Sequence, residues 1–199
     1  MPRLVVAHDF ICPWCWVARR QAERLRQEFP TLELVWKGYE LFPEGLVFTP
    51  SEPVDKSVVK PPVPSRFELM LLAERLTLPK RTSRFFNSRK ALEGSEFALK
   101  FGKQEEYLDA TYYAYWEESR NISDLKVLRE CASKTGLNVD EFTKALEERE
   151  FKNEVVEYDD PAHKAGVWNV PTWMFPEEWV AEQPYGVLRK LAAQFVKEA

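Results

Sequence analysis

The chain has 199 residues, of which 45% are hydrophobic and 30% charged, a balance typical of a folded globular protein and not of a disordered one. Its net charge is −4 with acidic and basic residues interspersed, which excludes the clustered basic face expected of a nucleic-acid-binding protein. No apolar run approaches the roughly 20 residues that cross a bilayer, so the sequence predicts neither a nucleic-acid nor a membrane partner.

The N-terminal part predicts a β-α-β unit. A valine-rich apolar run at 3–7 indicates a buried strand. Apolar residues then recur at helical spacing from Trp14 to Phe29, and Pro30 ends the helix. Alternating apolar and polar residues at 32–37 predict the second strand.

Prolines interrupt this pattern, and the stretch 46–64 is predicted to be an irregular, proline-rich connection. Residues 65–150 then have helical spacing almost throughout, which predicts a block of helices. We expect the apolar stripes of these helices, among them Leu69 and Leu72, to be buried in the core. Asp124 and Asp140 are each placed to cap the N-terminus of a helix.

After the helical block the strand signal returns. Residues 170–175 are apolar and partly β-branched or aromatic, and 179–181 predict a neighbouring strand across a short turn. Residues 185–197 have the spacing of a terminal amphipathic helix. The order β-α-β, helices, β-β-α places the chain in the α/β class.

The chemistry of the sequence centres on Cys12-Pro13-Trp14-Cys15. The pair follows a predicted strand, and Pro13 suits the first position of the helix that follows. The Cys12 sulfur is therefore expected at a helix N-terminus, where unpaired N–H groups favour a thiolate. Cys15, one turn further on, is expected to be more buried and to act as the resolving thiol.

Two other interpretations of this pair remain open. A zinc site ordinarily uses four ligands, but a second C-x-x-C pair is absent and only His8, His163 and Cys131 remain as soft candidates, so we expect no metal. Two buried thiols without function are the other interpretation. Cys131 lies on an apolar helix stripe and is interpreted as a core residue.

Two motifs carry a resemblance to a known family. The stretch 9–15 is similar to D-x-x-C-P-W-C, and 166–172 is similar to G-V-x-G-V-P-T, with Asn169 in place of the second glycine. With both motifs in this order, the chain resembles the DsbA-like thioredoxin-fold oxidoreductases, and among them the cytosolic FrnE-like branch. That branch is related to 2-hydroxychromene-2-carboxylate isomerase and kappa-class glutathione transferase.

The resemblance implies an α/β thioredoxin fold with a helical domain inserted after the β-α-β half. Residues 1–45 and 151–199 would form the thioredoxin-like domain, and 65–150 the inserted one. It also implies that the Val170–Pro171 peptide bond is cis and that this loop lies beside the cysteine pair. The residues alone favour another interpretation, in which Pro171 is an ordinary proline in a turn or at the start of a strand.

The implied activity is that of a thiol–disulfide oxidoreductase, a reductase or isomerase of protein disulfides. Cys12 and Cys15 would be the catalytic residues and Pro13 and Trp14 the active-site loop, while Val170, Pro171 and Thr172 would bind the substrate. The expected partners are disulfide-containing or dithiol proteins. No cofactor is expected, with glutathione as a candidate redox partner.

Two functional alternatives stay open. One is a glutathione-dependent isomerase or transferase acting on a small aromatic compound, for which Tyr112, Tyr115 and Trp116 are candidates to wall a pocket. Such relatives typically carry serine in place of Cys12 and lack Cys15. The other is a binding module without activity.

The apolar run at 4–7 is too short for a signal peptide, so a cytoplasmic location is expected. The redox potential of the cytoplasmic glutathione pool favours the reduced dithiol over the disulfide.

Overall fold

Five separate stretches of the chain are described by the computed structural model, namely residues 1–43, 63–80, 86–157, 164 and 166–198. The predicted connection 46–64 lies outside them except for its last two residues, and His163 also lies outside. The elements in chain order are β1 (Arg3–His8), α1 (Pro13–Glu28), β2 (Glu33–Glu40), α2 (Arg66–Glu74), α3 (Arg89–Lys100), α4 (Gln104–Trp116), α5 (Leu125–Lys134), α6 (Val139–Glu147), β3 (Val156–Glu157), β4 (Thr172–Met174), β5 (Trp179–Ala181) and α7 (Tyr185–Glu198).

The strands form one mixed sheet in the order β3-β2-β1-β4-β5 within the described residues. Strand β1 pairs in parallel with β2, which confirms the predicted β-α-β unit. Strand β4 is antiparallel to β1 and to β5, which confirms the predicted strand pair near the C-terminus. The C-terminal end of β1 therefore lies beside the N-terminal end of β4, where Ala7 faces Thr172.

Helix α1 begins where the sequence predicts. Cys12 is its N-cap residue and Pro13 its first residue, a position that proline tolerates because its missing N–H would have no partner there. The helix ends at Glu28, and the N–H of Phe29 closes it on the Leu25 carbonyl before Pro30. Its apolar face is buried in the hydrophobic core, and its N-cap residue follows the end of β1 after a short connection.

Helix α2 differs from its prediction. Leu69 and Leu72 were expected in the core, but they are 51% and 70% exposed, so this expectation was wrong. Only Met70 of this helix is buried. The helix is stabilised by polar contacts at its ends: a capping box of Ser65 with Glu68 at the start, and Glu74, whose carboxylate accepts hydrogen bonds from α1 and α7, at the end.

Two predicted helix caps have different outcomes. Asp124 caps α5 by accepting a hydrogen bond from the Lys126 N–H, as predicted. The cap of α6 is Asn138 and not Asp140, because the Asn138 side chain accepts from the N–H groups of residues 140 and 141. Asp140 instead lies in the first turn, where its negative charge still favours the helix N-terminus.

The helices after β2 share one hydrophobic core with the sheet. Two polar contacts reinforce this junction. Buried Arg19 of α1 forms ion pairs with Glu105 and Asp109 of α4. Gln104, also in α4, places its side-chain amide against β2, accepting from the Trp36 N–H at 3.0 Å and donating to the Trp36 carbonyl at 2.7 Å. The predicted division into a thioredoxin-like and an inserted domain stays a prediction.

Gly94 lies where α3 crosses its neighbours. A Cβ atom there would come within 2.8 Å of the Tyr107 ring and 2.9 Å of the Phe142 ring. We expect Gly94→Ala to lower the free energy of unfolding by about 1–3 kcal/mol, because overpacking outweighs the better helix propensity of alanine. Gly186→Ala is the control, since nothing lies within 4 Å of a Cβ on Gly186 in α7. Urea unfolding that finds both variants equally stable would contradict this account.

The helices of the described residues are all too short or too polar to cross a bilayer.

Candidate active site

Cys12 lies at the junction of β1 and α1. Its N–H donates to the Asp9 carbonyl at 3.2 Å, and its own carbonyl accepts from the Trp16 N–H at 3.1 Å as the first turn of the helix forms. The side chain is a free thiol and only 5% of the residue is exposed. The Sγ atom donates to the Val170 carbonyl at 3.3 Å, a contact between residues 158 positions apart. The fold thus brings the two sequence motifs together.

The loop before β4 contains a cis peptide bond between Val170 and Pro171, which confirms what the resemblance implied. Its end is fixed to the sheet because the Pro171 carbonyl accepts from the Glu182 N–H at 3.3 Å. Thr172 is the first residue of β4, and its hydroxyl donates to the Asn169 carbonyl at 2.5 Å. Val170 therefore lies against the Cys12 thiol, and Pro171 and Thr172 follow it into β4.

Cys15 lies one turn into α1 and is completely buried, more deeply than Cys12, as predicted. Burial raises the pKa of the Cys15 thiol well above its ordinary value, and the adjoining Cys12 thiol raises it further. Desolvation penalises a thiolate at this position, so Cys15 keeps its proton until a base removes it. The two thiols thus have different surroundings, one at the N-cap of the helix and 5% exposed, the other one turn further on and fully buried.

Trp14 is half-buried between the cysteines and α2. Its ring lies 5.0 Å from the ring of Phe67, and the Arg66 guanidinium lies 5.3 Å from its centroid. The Arg66 side chain also pairs with Glu182 at 2.8 Å. The start of α2 is therefore attached both to the active-site loop and to the residue that holds the Pro171 carbonyl.

Asp9 is a buried acid whose role the sequence interpretation missed. Its Oδ2 atom accepts from the Leu41 N–H at 2.8 Å and its Oδ1 from the Ile11 N–H at 3.3 Å. Burial raises the pKa of Asp9 to about 6, although these hydrogen bonds favour the ionised form. The charge of Asp9 also raises the pKa of Cys15. The sequence feature that points to a buried acid is the single carboxylate in the mostly apolar stretch 4–12.

Helix α4 holds the connection between β1 and α1 from inside the core. The Tyr112 hydroxyl donates to the Asp9 carbonyl at 3.2 Å, and the Trp116 indole N–H donates to the Phe10 carbonyl at 2.9 Å. Because the Tyr112 proton is used in this way, the His8 Nδ1, 3.1 Å away, is the donor to the Tyr112 oxygen. Burial lowers the pKa of His8 to about 3, so the ring is neutral.

The three aromatic residues proposed as walls of a substrate pocket lie in this buried region. Tyr112 and Trp116 are each 4% exposed and Tyr115 is fully buried. The hydrogen bonds of Tyr112 and Trp116 tie them to the backbone before Cys12. Cys131 is also buried, with its thiol 3.7 Å from the Ala110 carbonyl, which confirms it as a core residue of the helices.

Known proteins resemble this chain over most of its length. YwbO, an uncharacterized protein of Bacillus subtilis (strain 168), is 28% identical over 154 residues, which make up 74% of this chain and 73% of YwbO. A probable DsbA oxidoreductase of Streptomyces coelicolor has the same fold, with a TM-score of 0.72 at 24% identity over 100% of this chain and 92% of the other.

Two further solved structures share the fold at lower identity. The cytosolic disulfide reductase DsbM of Pseudomonas aeruginosa, solved with GSH, has a TM-score of 0.62 at 17% identity and covers 98% of this chain and 96% of its own. A 2-hydroxychromene-2-carboxylate isomerase has a TM-score of 0.66 at 16% identity, over 98% of this chain and 95% of its own. The predicted relationship to both kinds of protein is thereby confirmed for the fold.

The matched family accounts for both motifs at once. Its model spans residues 3–189, from the first strand through the cysteine pair and the cis-proline loop into the last helix. The α/β sheet with its intervening helices is the fold predicted from the sequence. The chain therefore belongs to the family of the DSBA-like thioredoxin domain.

Proposed function

We propose that the protein is a thiol–disulfide oxidoreductase that reduces or isomerises protein disulfides through Cys12 and Cys15. The observation that carries this proposal is the position of the Cys12 thiol. Its Sγ lies at the N-terminus of α1 and 3.3 Å from the Val170 carbonyl, next to the cis peptide bond. The helix N-terminus stabilises the negative charge that the attacking sulfur needs.

The reaction begins with the Cys12 thiolate. It attacks one sulfur of the substrate disulfide, a Cys12–substrate disulfide forms, and the other substrate sulfur leaves as a thiolate. Cys15 then attacks the Cys12 sulfur, which forms the Cys12–Cys15 disulfide and releases the second substrate sulfur. Two electrons pass from the dithiol to the substrate. A second thiolate of the substrate can also attack the substrate sulfur of the mixed disulfide before Cys15 does. Cys12 then leaves as a thiolate and the substrate has a rearranged disulfide, which is isomerisation.

The Val170 carbonyl has a role in holding the substrate. In the dithiol form it accepts the Cys12 S–H. Cys12 has no proton once it is part of a mixed disulfide, so this carbonyl then lacks a donor. A backbone N–H of an extended substrate next to the reacting cysteine supplies one, in the manner of strand addition.

The Cys15 proton also needs an acceptor. Cys15 is fully buried and attacks only as a thiolate. Asp9 is the acid whose charge acts on it from inside the same loop, and with a pKa of about 6 Asp9 is ionised at neutral pH. We assign it as the proton acceptor of the resolving step, either directly or through one water molecule.

A reducing partner must restore the dithiol. Two molecules of a monothiol such as glutathione would do so and become glutathione disulfide. The solved DsbM structure contains GSH in the same fold, which supports glutathione as the candidate. A compartment with a reducing glutathione pool would supply that thiol and drive the dithiol toward reduction.

The test compares single cysteine variants. Cys12→Ser should reduce the turnover of a peptide disulfide to the rate given by the thiol reductant alone, because serine does not form a disulfide. Cys131→Ser is the matched control, since that thiol is buried among the helices and should leave turnover unchanged. A Cys12→Ser protein that still turned over the peptide disulfide at the wild-type rate would overturn the proposal.

The second candidate function is a glutathione-dependent isomerase or transferase with a small aromatic substrate. The shared fold of the 2-hydroxychromene-2-carboxylate isomerase keeps it open. The burial of Tyr112 and Trp116, with their hydrogen bonds to the backbone before Cys12, favours a supporting role for them over a substrate-binding one. Such an activity should survive the loss of Cys15, whereas a dithiol cycle should not.

A further inference from the structure

The loop before the cis peptide bond exposes two residues next to the active site. Val167 and Val170 are buried, while Trp168 and Asn169 between them are exposed. The exposed fraction of Trp168 is 68%, although large aromatic side chains are usually mostly buried. In the motif G-V-x-G-V-P-T, Trp168 occupies the variable position x and Asn169 replaces the second glycine.

The loop is anchored after Trp168. The Thr172 hydroxyl donates to the Asn169 carbonyl, and the Pro171 carbonyl accepts from the Glu182 N–H. Before Trp168, Gly166 has a φ of 89°, which other residues rarely adopt. Anchoring of the residues after Trp168 lowers the entropy lost when this side chain contacts a ligand.

The position of Cys12 brings any substrate to this loop. Cys12 is only 5% exposed, so a disulfide that reaches its sulfur must contact the surrounding residues. Val170 is one of them, with its carbonyl 3.3 Å from the Cys12 Sγ. Trp168 is two residues from Val170, which puts their Cα atoms at most about 7 Å apart. The indole ring is within reach of the substrate residues next to the reacting cysteine.

We propose that Trp168 is a specificity-determining residue that binds an apolar or aromatic side chain next to the reacting cysteine of a polypeptide disulfide. The inference rests on the proposed function and names its substrate class: unfolded or extended polypeptides whose disulfide cysteines have apolar neighbours. Tryptophan is among the residues that most often dominate binding at interfaces, because it buries a large rigid surface. Small disulfides without a flanking chain do not reach it.

The test uses three disulfide substrates with the full-length protein. Two are peptides with one internal disulfide, with either phenylalanine or serine beside each cysteine, and the third is bis(2-hydroxyethyl) disulfide. Trp168→Ala should lower kcat/KM for the phenylalanine peptide by about tenfold or more, mainly through KM. The serine peptide and the small disulfide should change less than about threefold. Trp168→Phe should keep most of the activity.

Tyr113→Ala is the matched control, because this aromatic side chain on α4 is 54% exposed but lies outside the site. An equal loss on all three substrates, or no loss on the phenylalanine peptide, would overturn the role of Trp168. Fluorescence anisotropy with the serine-substituted, disulfide-free form of the phenylalanine peptide separates this inference from the proposed function. Weaker binding to Trp168→Ala supports the inference even if the wild-type protein shows no turnover, which would refute only the function.

Discussion

Replacing Cys15 by serine should stop turnover at the mixed disulfide between Cys12 and its substrate. A resolving thiol on the same helix acts at an effective concentration far above that of any free thiol, because well-oriented intramolecular groups reach effective molarities of about 10⁵ M or more. Millimolar glutathione replaces it poorly, so we expect turnover to fall by about a thousandfold. Non-reducing mass spectrometry of the Cys15→Ser protein should show the added mass of one substrate peptide.

The position of Cys15 makes this result specific. The side chain is fully buried beside Cys12, and serine is close in size, so the variant should fold. The adduct should disappear in a Cys12→Ser/Cys15→Ser protein and remain in a Cys15→Ser/Cys131→Ser protein. Full turnover by Cys15→Ser would contradict the dithiol cycle and would favour the glutathione-dependent alternative.

Asp9→Asn should make the reduced protein more stable at neutral pH. Burial raises the pKa of Asp9 from 3.8 to about 6, so the native state holds a proton that the unfolded state loses between these values. The proton on Asp9 therefore makes its full contribution to the free energy of unfolding below pH 3.8, and this contribution is lost as the pH rises through 6. With about 1.4 kcal/mol for each pKa difference of one, the ionised carboxylate costs about 3 kcal/mol above pH 6.

Asparagine does not ionise and still offers an oxygen to the Leu41 N–H, but its NH2 group then faces the Ile11 N–H, and the lost hydrogen bond costs about 1 kcal/mol. Urea unfolding with a thiol reductant should therefore give Asp9→Asn about 1–2 kcal/mol more stability at pH 7.5 and about 1 kcal/mol less at pH 3.5. Asp124→Asn is the control, because that side chain caps α5 in an exposed hydrogen bond and asparagine caps equally well. Asp9→Asn being less stable at pH 7.5 would show that its carboxylate is needed to hold the loop.

Local signals in the sequence were sufficient for the first half of the site. The valine-rich strand, Pro13 and the helical spacing after it place Cys12 at a helix N-terminus with no information from elsewhere in the chain. The burial of Cys15 follows from the same helix geometry. The other half, Val170 with the cis-proline bond, came only from the family resemblance, because spacing alone does not bring residues 158 positions apart into contact.

Contacts between distant elements explain what the sequence did not predict. Leu69 and Leu72 have core-like spacing, but α2 packs through Phe67 and Met70 and is fixed by polar groups, so the leucines stay exposed. The lone carboxylate in the stretch 4–12 pointed to Asp9, but its burial depends on contacts with Leu41 and with helix α4, which local spacing does not reveal. Each miss concerns a residue whose surroundings are supplied by another element.

The contact of Gln104 with β2 has a consequence for how the molecule behaves at high concentration. Among the residues that the structure describes, β3 pairs with β2 at Tyr39 and Glu40 alone, so the N–H and carbonyl of Trp36 lie beyond its reach. The Gln104 amide satisfies both groups as a peptide unit of a neighbouring strand would. Open strand edges are templates for intermolecular pairing. By closing this one with a side chain, the helices protect the sheet against aggregation and amyloid-like growth.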